Sequence, residues 1–122
     1  MDRTDQRRRA EARGRSAERL AALYLAAKLY RIVARRFRSP FGEIDLVARR
    51  GRSLVFVEVK AHADRDLALH AVGRRSRRRI LGAARAWAML HPADATLAMR
   101  FDVIVMAPWR WPRHIVGAFL DD

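Results

Sequence analysis

The chain has 122 residues, no cysteine, and 26 Lys and Arg against 13 Asp and Glu, which gives a formal net charge of +13. Without cysteine there is neither a disulfide framework nor a thiolate metal site, and without an internal repeat the length fits one domain. The charge sets up a positive field suited to a polyanion; nucleic acid is favoured over an anionic membrane surface because no lipid-inserting helix accompanies it.

The first residues lack the apolar core of a signal peptide, and no apolar run approaches the roughly 18 residues needed to cross a bilayer, so a soluble, cytoplasmic protein is expected. Of the 26 basic residues, 24 are arginine and two, Lys28 and Lys60, are lysine. Nucleotide bias exchanges lysine for arginine but does not create net charge.

Residues 1–14 are polar and basic without periodicity and read as a disordered arm able to lie on phosphates, with residues 15–122 as the single folded domain. From Ala17 the apolar positions Ala17, Leu20, Ala21, Tyr24, Leu25 and Leu29 recur at helical spacing and predict a helix to about Leu29, with Glu18 at the margin of its stripe. Tyr30 to Phe37 alternates as a strand, with Tyr30, Ile32 and Ala34 on one side and Val33 and Phe37 on the other. The Ser39-Pro-Phe-Gly42 turn leads into a second strand, Glu43 to Ala48, and Arg49 to Ser53 closes a hairpin. Leu54 to Lys60 returns as a third strand, apolar on both faces until Glu58 and therefore central.

Residues 61–73 carry no clear period and read as a mobile loop or lid. Arg74 to Leu90 is a second helix with Ile80, Ala83, Ala84, Trp87 and Leu90 on one stripe and Arg74, Arg75, Arg77, Arg78 and Arg79 crowded into its first turns; Pro92 ends it. A fourth strand, Arg100 to Met106, and a fifth at an edge, Ile115 to Leu120, follow. Strands three and four are joined through a helix and should be parallel.

Period two puts Glu43 and Asp45 on one side of the second strand and Glu58 and Lys60 on one side of the third. If register follows the Arg49 to Ser53 turn, Asp45 and Glu58 lie nearly opposite, close enough to share one divalent cation, and Mg²⁺ or Mn²⁺ suits such an oxygen-rich site. Two adjacent anions in a half-buried sheet repel unless a cation or proton intervenes. Lys60 would sit beside the bound water with an amine that, unlike a guanidinium, can lose its proton. A plain cross-strand ion pair is the competing explanation. It is weakened because Leu54 and Phe56 precede Glu58 on the same face, and buried charges are scarce without a partner or a task.

Gly42-Glu-Ile-Asp-Leu-Val-Ala48, Leu54-Val-Phe-Val-Glu-Val-Lys60 and Arg100-Phe-Asp-Val103 together resemble the YraN-like family, which is similar in fold to the PD-(D/E)XK restriction-endonuclease-like nucleases and to archaeal Holliday-junction resolvases. The resemblance runs from about Gly14 to Phe119. It implies an α/β fold with an αβββαβ core, a mixed central sheet flanked by helices. It also implies Asp45 and Glu58 as metal ligands, Lys60 as the residue that positions or deprotonates the attacking water, and Glu18 as the helical glutamate completing the catalytic set. Three positions depart from the family pattern: Ala61-His62 stands where a Thr-Arg pair is common, and Ser76 where lysine is frequent.

Other candidates are weaker. His62, His70, His91 and His114 lack metal-ligand spacing and read as surface histidines, Asp102 as an ion-pair partner of Arg100, and Lys28 as a lysine without context. Trp109 and Trp111 flank Arg110; such a cluster can stack on bases but more often covers a core edge or a subunit contact. The expected function is a Mg²⁺-dependent endonuclease, a hydrolase of DNA phosphodiesters that extends to branched DNA. The second-helix arginines would bind the nucleic-acid backbone, and a two-fold homodimer would suit a junction cutter. The alternative is a non-catalytic nucleic-acid-binding or scaffolding module on the same fold.

Overall fold

The computed structural model describes residues 3–61, 74–107 and 109–119. Helix α1 (Arg3–Ala27) is followed by three strands, β1 (Arg31–Ser39), β2 (Gly42–Arg50) and β3 (Ser53–Ala61), then helix α2 (Arg74–Leu90). A 3₁₀ turn (Pro92–Thr96) and strands β4 (Ala98–Met106) and β5 (Arg113–Phe119) complete the order. The five strands form one mixed sheet in sequence order, antiparallel except for the parallel β3–β4 pair. This is the expected αβββαβ core with a fifth edge strand.

The sheet is covered on both faces. Leu54 and Phe56 of β3 pack with Ile80, Ala83, Ala84 and Trp87 of α2, while Val55 and Val57 pack with Ala21, Ala22 and Leu25 of α1. Period two sends alternate residues to opposite layers, which is why the middle of β3 is continuously apolar and fully buried.

Helix α1 departs from expectation at its start. The stretch read as a disordered arm is helical from Arg3, with Arg3 to Arg9 exposed. Arg, Gln, Glu and Ala are good helix formers, no proline interrupts them, and Asp5 in the first turn complements the helix dipole. At the other end, Leu20 is 54% and Leu29 80% exposed, so neither belongs to the core stripe. Leu29 adopts a left-handed φ of 70° in the turn that stops the helix. Leu90, at the last position of α2, is also exposed.

Strand β1 carries a bulge. Ile32 pairs with Ala48 and Ala34 with Val47, so the register slips at Val33. Ile32 then joins the α1 layer and Ala34 the α2 layer, although simple alternation puts both on one side.

The β1–β2 turn is seated directly on α2. A Cβ on Gly42, whose φ is 155°, would fall 1.9 Å from the Arg79 carbonyl oxygen, and one on Gly82 would fall 2.6 Å from the Phe41 carbonyl oxygen. Two glycines thus allow backbone to meet backbone and fix the start of β2 beside the arginine-rich turns of α2. Among the described residues, no helix is long and apolar enough to cross a membrane. The expected lid, with His62 and His70, lies outside the described residues.

Candidate functional site

The β2–β3 ladder ends at Leu46↔Val57, immediately before Asp45 and Glu58, and the charge of Glu58 acts on Asp45. The backbone amide of Val59 donates to Asp45 Oδ2 over 2.7 Å. Both acidic side chains are largely shielded but not fully buried, at the place where the apolar rows of the hairpin give out.

Burial pushes the Asp45 carboxyl up from 3.8 to about 7, and the neighbouring charge of Glu58 adds to the shift, with a further contribution from Glu18. The Val59 hydrogen bond and the Lys60 ammonium pull the other way and lose. Glu58 and Glu18 are therefore close enough to disfavour ionisation of Asp45, whose carboxyl holds its proton near neutrality.

Lys60 Nζ lies 3.2 Å from Glu58 Oε1, and both side chains are about four-fifths shielded, with 22% and 17% exposed. The ammonium thus sits on the same strand face as the glutamate, against the acidic pair. Glu18 reaches the site from α1 but is held by Arg36, whose Nε donates to Glu18 Oε2 over 2.7 Å. Arg36 has a left-handed φ of 52° in the middle of β1. Sequence reading missed Arg36, because a strand arginine next to Arg35 carries no mark of that backbone turn.

Glu18, Asp45, Glu43 and Ile44 line one open pocket of about 400 Å³, together with Gly14, Arg15, Arg36 and Arg38. Glu43 itself is drawn to Arg38 and Arg79, each at 3.6 Å. Of the second-helix arginines, Arg77, Arg78 and Arg79 are exposed on the turns next to this pocket. Arg74 and Arg75 open the same helix, but their side chains fall outside the described set.

Asp45 and Glu58 are the carboxylates here that could hold a cation such as Mg²⁺. That ion is commonly held by one or two carboxylates, waters and substrate phosphate rather than by a full protein cage. Among the described residues, no group of three His, Asp or Glu gathers tightly enough to hold a metal by itself. The Asp45–Glu58 pair is the part of the site that could take such an ion.

A second polar cluster bears out the Arg100–Asp102 ion pair and corrects two other sequence expectations. Asp102 is fully buried on β4 and takes hydrogen bonds from Arg100 at 2.9 and 2.8 Å, from His114 Nε2 at 2.6 Å and from the Gly117 amide at 3.0 Å. Burial alone would raise its carboxyl; the bonds from His114, Arg100 and Gly117 overcome this and hold it below the ordinary value. His114, with its side chain 2% exposed, is therefore no surface histidine. Lys28, which had no sequence context, lies with Nζ 2.8 Å from His114 Nδ1. A carboxylate only accepts and an ammonium only donates, so Nε2 of His114 carries the hydrogen and Nδ1 is the acceptor. Arg100 also bonds the Tyr30 hydroxyl at 2.5 Å. The cluster ties the end of α1 to β4 and β5 beneath the α1 layer. The sequence signal was Asp102 alone inside the apolar run Phe101 to Met106.

Comparison with known proteins finds relatives over most of the chain. The chain is 58% identical over 106 residues to a UPF0102 protein of Nitrobacter winogradskyi, covering 87% of this chain and 90% of that one. It is 53% identical over 124 residues to a UPF0102 protein of Methylobacterium nodulans, covering 98% and 96%, and 52% identical over 113 residues to one of Methylorubrum extorquens, covering 93% and 88%. The profile of the uncharacterised protein family UPF0102 matches residues 17–106, from the Glu18 turn of α1 to the end of β4. The chain belongs to the UPF0102, YraN-like family.

Proposed function

We propose that this chain is a Mg²⁺-dependent nuclease that hydrolyses DNA phosphodiesters, branched DNA among them, in the cytoplasm. The reading rests on one observation. An acidic pair, Asp45 and Glu58, stands with a half-buried lysine 3.2 Å from Glu58 inside a chain of net charge +13.

Asp45 and Glu58 would hold the cation, with Mn²⁺ able to replace Mg²⁺; when bound, it polarises the phosphodiester and lowers the pKa of a water. The Val59 amide fixes the Asp45 carboxylate in place. Lys60 orients the attacking water and balances charge that develops on the phosphate, and its ion pair to Glu58 keeps the ammonium at the site. Glu18, at the wall of the same pocket, takes a water-mediated part from its bond to Arg36.

The exposed arginines of α2 and of the helical arm grip the backbone through charge, so affinity falls with salt. A second copy pairing along the open edge of β5 would present two sites to the arms of a junction.

Incubation of the purified chain with plasmid, linear and four-way-junction DNA tests the reading. Cleavage that requires Mg²⁺ or Mn²⁺ and disappears in Lys60→Ala supports it. If nothing is cut while Asp45→Ala leaves DNA binding and its salt dependence unchanged, the chain is a binding module instead.

A further inference from the structure

Trp109 and Trp111 stand in the turn between β4 and β5, 102% and 84% exposed. They do not cover a core edge. Tryptophan is rarely left in water so completely, and here two rings bracket an exposed arginine, Arg110, with a second, Arg113, three residues after it. Trp109 also adopts a left-handed φ of 62°, an uncommon conformation for so bulky a residue, and the turn holds its ring outward at that cost.

The position of this turn is set by the sheet. In the parallel β3–β4 pair, Glu58 faces Val103, Lys60 faces Val105 and Ala61 faces Met106. The segment after Met106 therefore leaves the sheet at the end that carries Glu58 and Lys60. The start of β2 is at the same end, because β2 runs antiparallel to β3, and so are the first turns of α2, which Gly42 meets at Arg79. One rim thus gathers the carboxylates, the lysine, the helix arginines and the two exposed rings.

We propose that Trp109 and Trp111 form a stacking platform for unpaired nucleobases beside the carboxylate site, so that the chain prefers single-stranded or flapped nucleic acid to uninterrupted duplex. An indole face stacks on any base, but only on one whose face is not already taken by its neighbours in a helix. Arg110 and Arg113 supply the phosphate contacts that such a platform needs.

A second copy of the chain fits the rings less well. Two tryptophans offer about 300–500 Å², short of the roughly 800 Å² per partner of a stable interface, and two chains of +13 repel. The inference deepens the nuclease reading, and it stands on binding that can be measured without any cation.

The test is a tryptophan-fluorescence and anisotropy titration in EDTA with a dT oligonucleotide and a blunt hairpin duplex. The single strand should quench emission and bind more tightly than the duplex. Trp109→Ala with Trp111→Ala should weaken binding to the single strand about a hundredfold, roughly tenfold per ring, and leave the duplex affinity unchanged. Phenylalanine at both positions should restore most of the loss, and the thermal melt of each variant should match the parent because both rings lie outside the core.

Equal single-strand affinity in the double alanine variant overturns the proposal. So does the absence of any nucleic-acid binding, a response to anionic vesicles but not to dT, or a dimer that dissociates in the variant. A chain that binds dT through the rings yet cuts nothing in Mg²⁺ overturns the nuclease reading and leaves the platform standing.

Discussion

The Val59 amide donates to Asp45 across the β2–β3 hairpin at 2.7 Å, which fastens a carboxylate in place while its neighbours Glu58 and Glu18 work against its ionisation. Charge opposes itself at this point, and the measurable consequences follow from that conflict.

Asp45 takes up its proton in the folded chain at about 7 against an ordinary value of 3.8. Between those values the folded state binds more protons than the unfolded one. The contribution of Asp45 to stability is therefore full below about pH 4 and is lost as pH rises through 7. Asp45→Asn keeps an acceptor for Val59 and cannot ionise. In the metal-free protein it should raise stability relative to the parent by about 1–2 kcal/mol at pH 8 and by much less at pH 5, read from urea denaturation at each pH.

Lys60→Arg preserves a positive charge beside Glu58 but removes an amine able to shed its proton. Stability should change by less than about 1 kcal/mol, since the pair is retained in a partly solvated setting. Mg²⁺-dependent cleavage should fall by roughly 10²-fold or more, and single-turnover rates across pH report it.

Asp102 holds Arg100, His114 and the Gly117 amide together from a fully buried position. Its carboxyl lies below the ordinary value, so the stability it provides is present above about pH 4 and is lost as pH falls through the folded-state value. Asp102→Ala leaves a guanidinium, an imidazole and an amide without their acceptor. It should cost about 3–5 kcal/mol at pH 7, measured by chemical denaturation.

Gly42→Ala would place a methyl group 1.9 Å from the Arg79 carbonyl oxygen, on backbone that cannot rotate away. The β1–β2 turn would have to leave α2. We expect a loss of about 3 kcal/mol or more, visible as a lower thermal midpoint.

Much of this architecture was legible in the residues. The range of α2, the two-sided burial of β3, the parallel β3–β4 pair and the hairpin that joins β2 to β3 all follow from periodicity and turn chemistry, which are local properties. What escaped depends on contacts distant in sequence. The pairing of Lys28 with His114 spans 86 positions, and the partner of Glu18 is an arginine whose backbone turns left-handed only within the finished sheet. The helical start of α1 escaped for another reason: without an apolar stripe, only residue propensity signals a helix.

The central claim is that Asp45 and Glu58 share one divalent cation. Calorimetric titration of Mn²⁺ into the metal-free chain at pH 7, repeated in buffers of different ionisation enthalpy, tests it most directly. A single site is expected, with proton release because Asp45 is partly protonated at that pH, and with binding abolished in Asp45→Asn and in Glu58→Gln. Equal Mn²⁺ binding in the parent and both variants, or none in the parent, would contradict it.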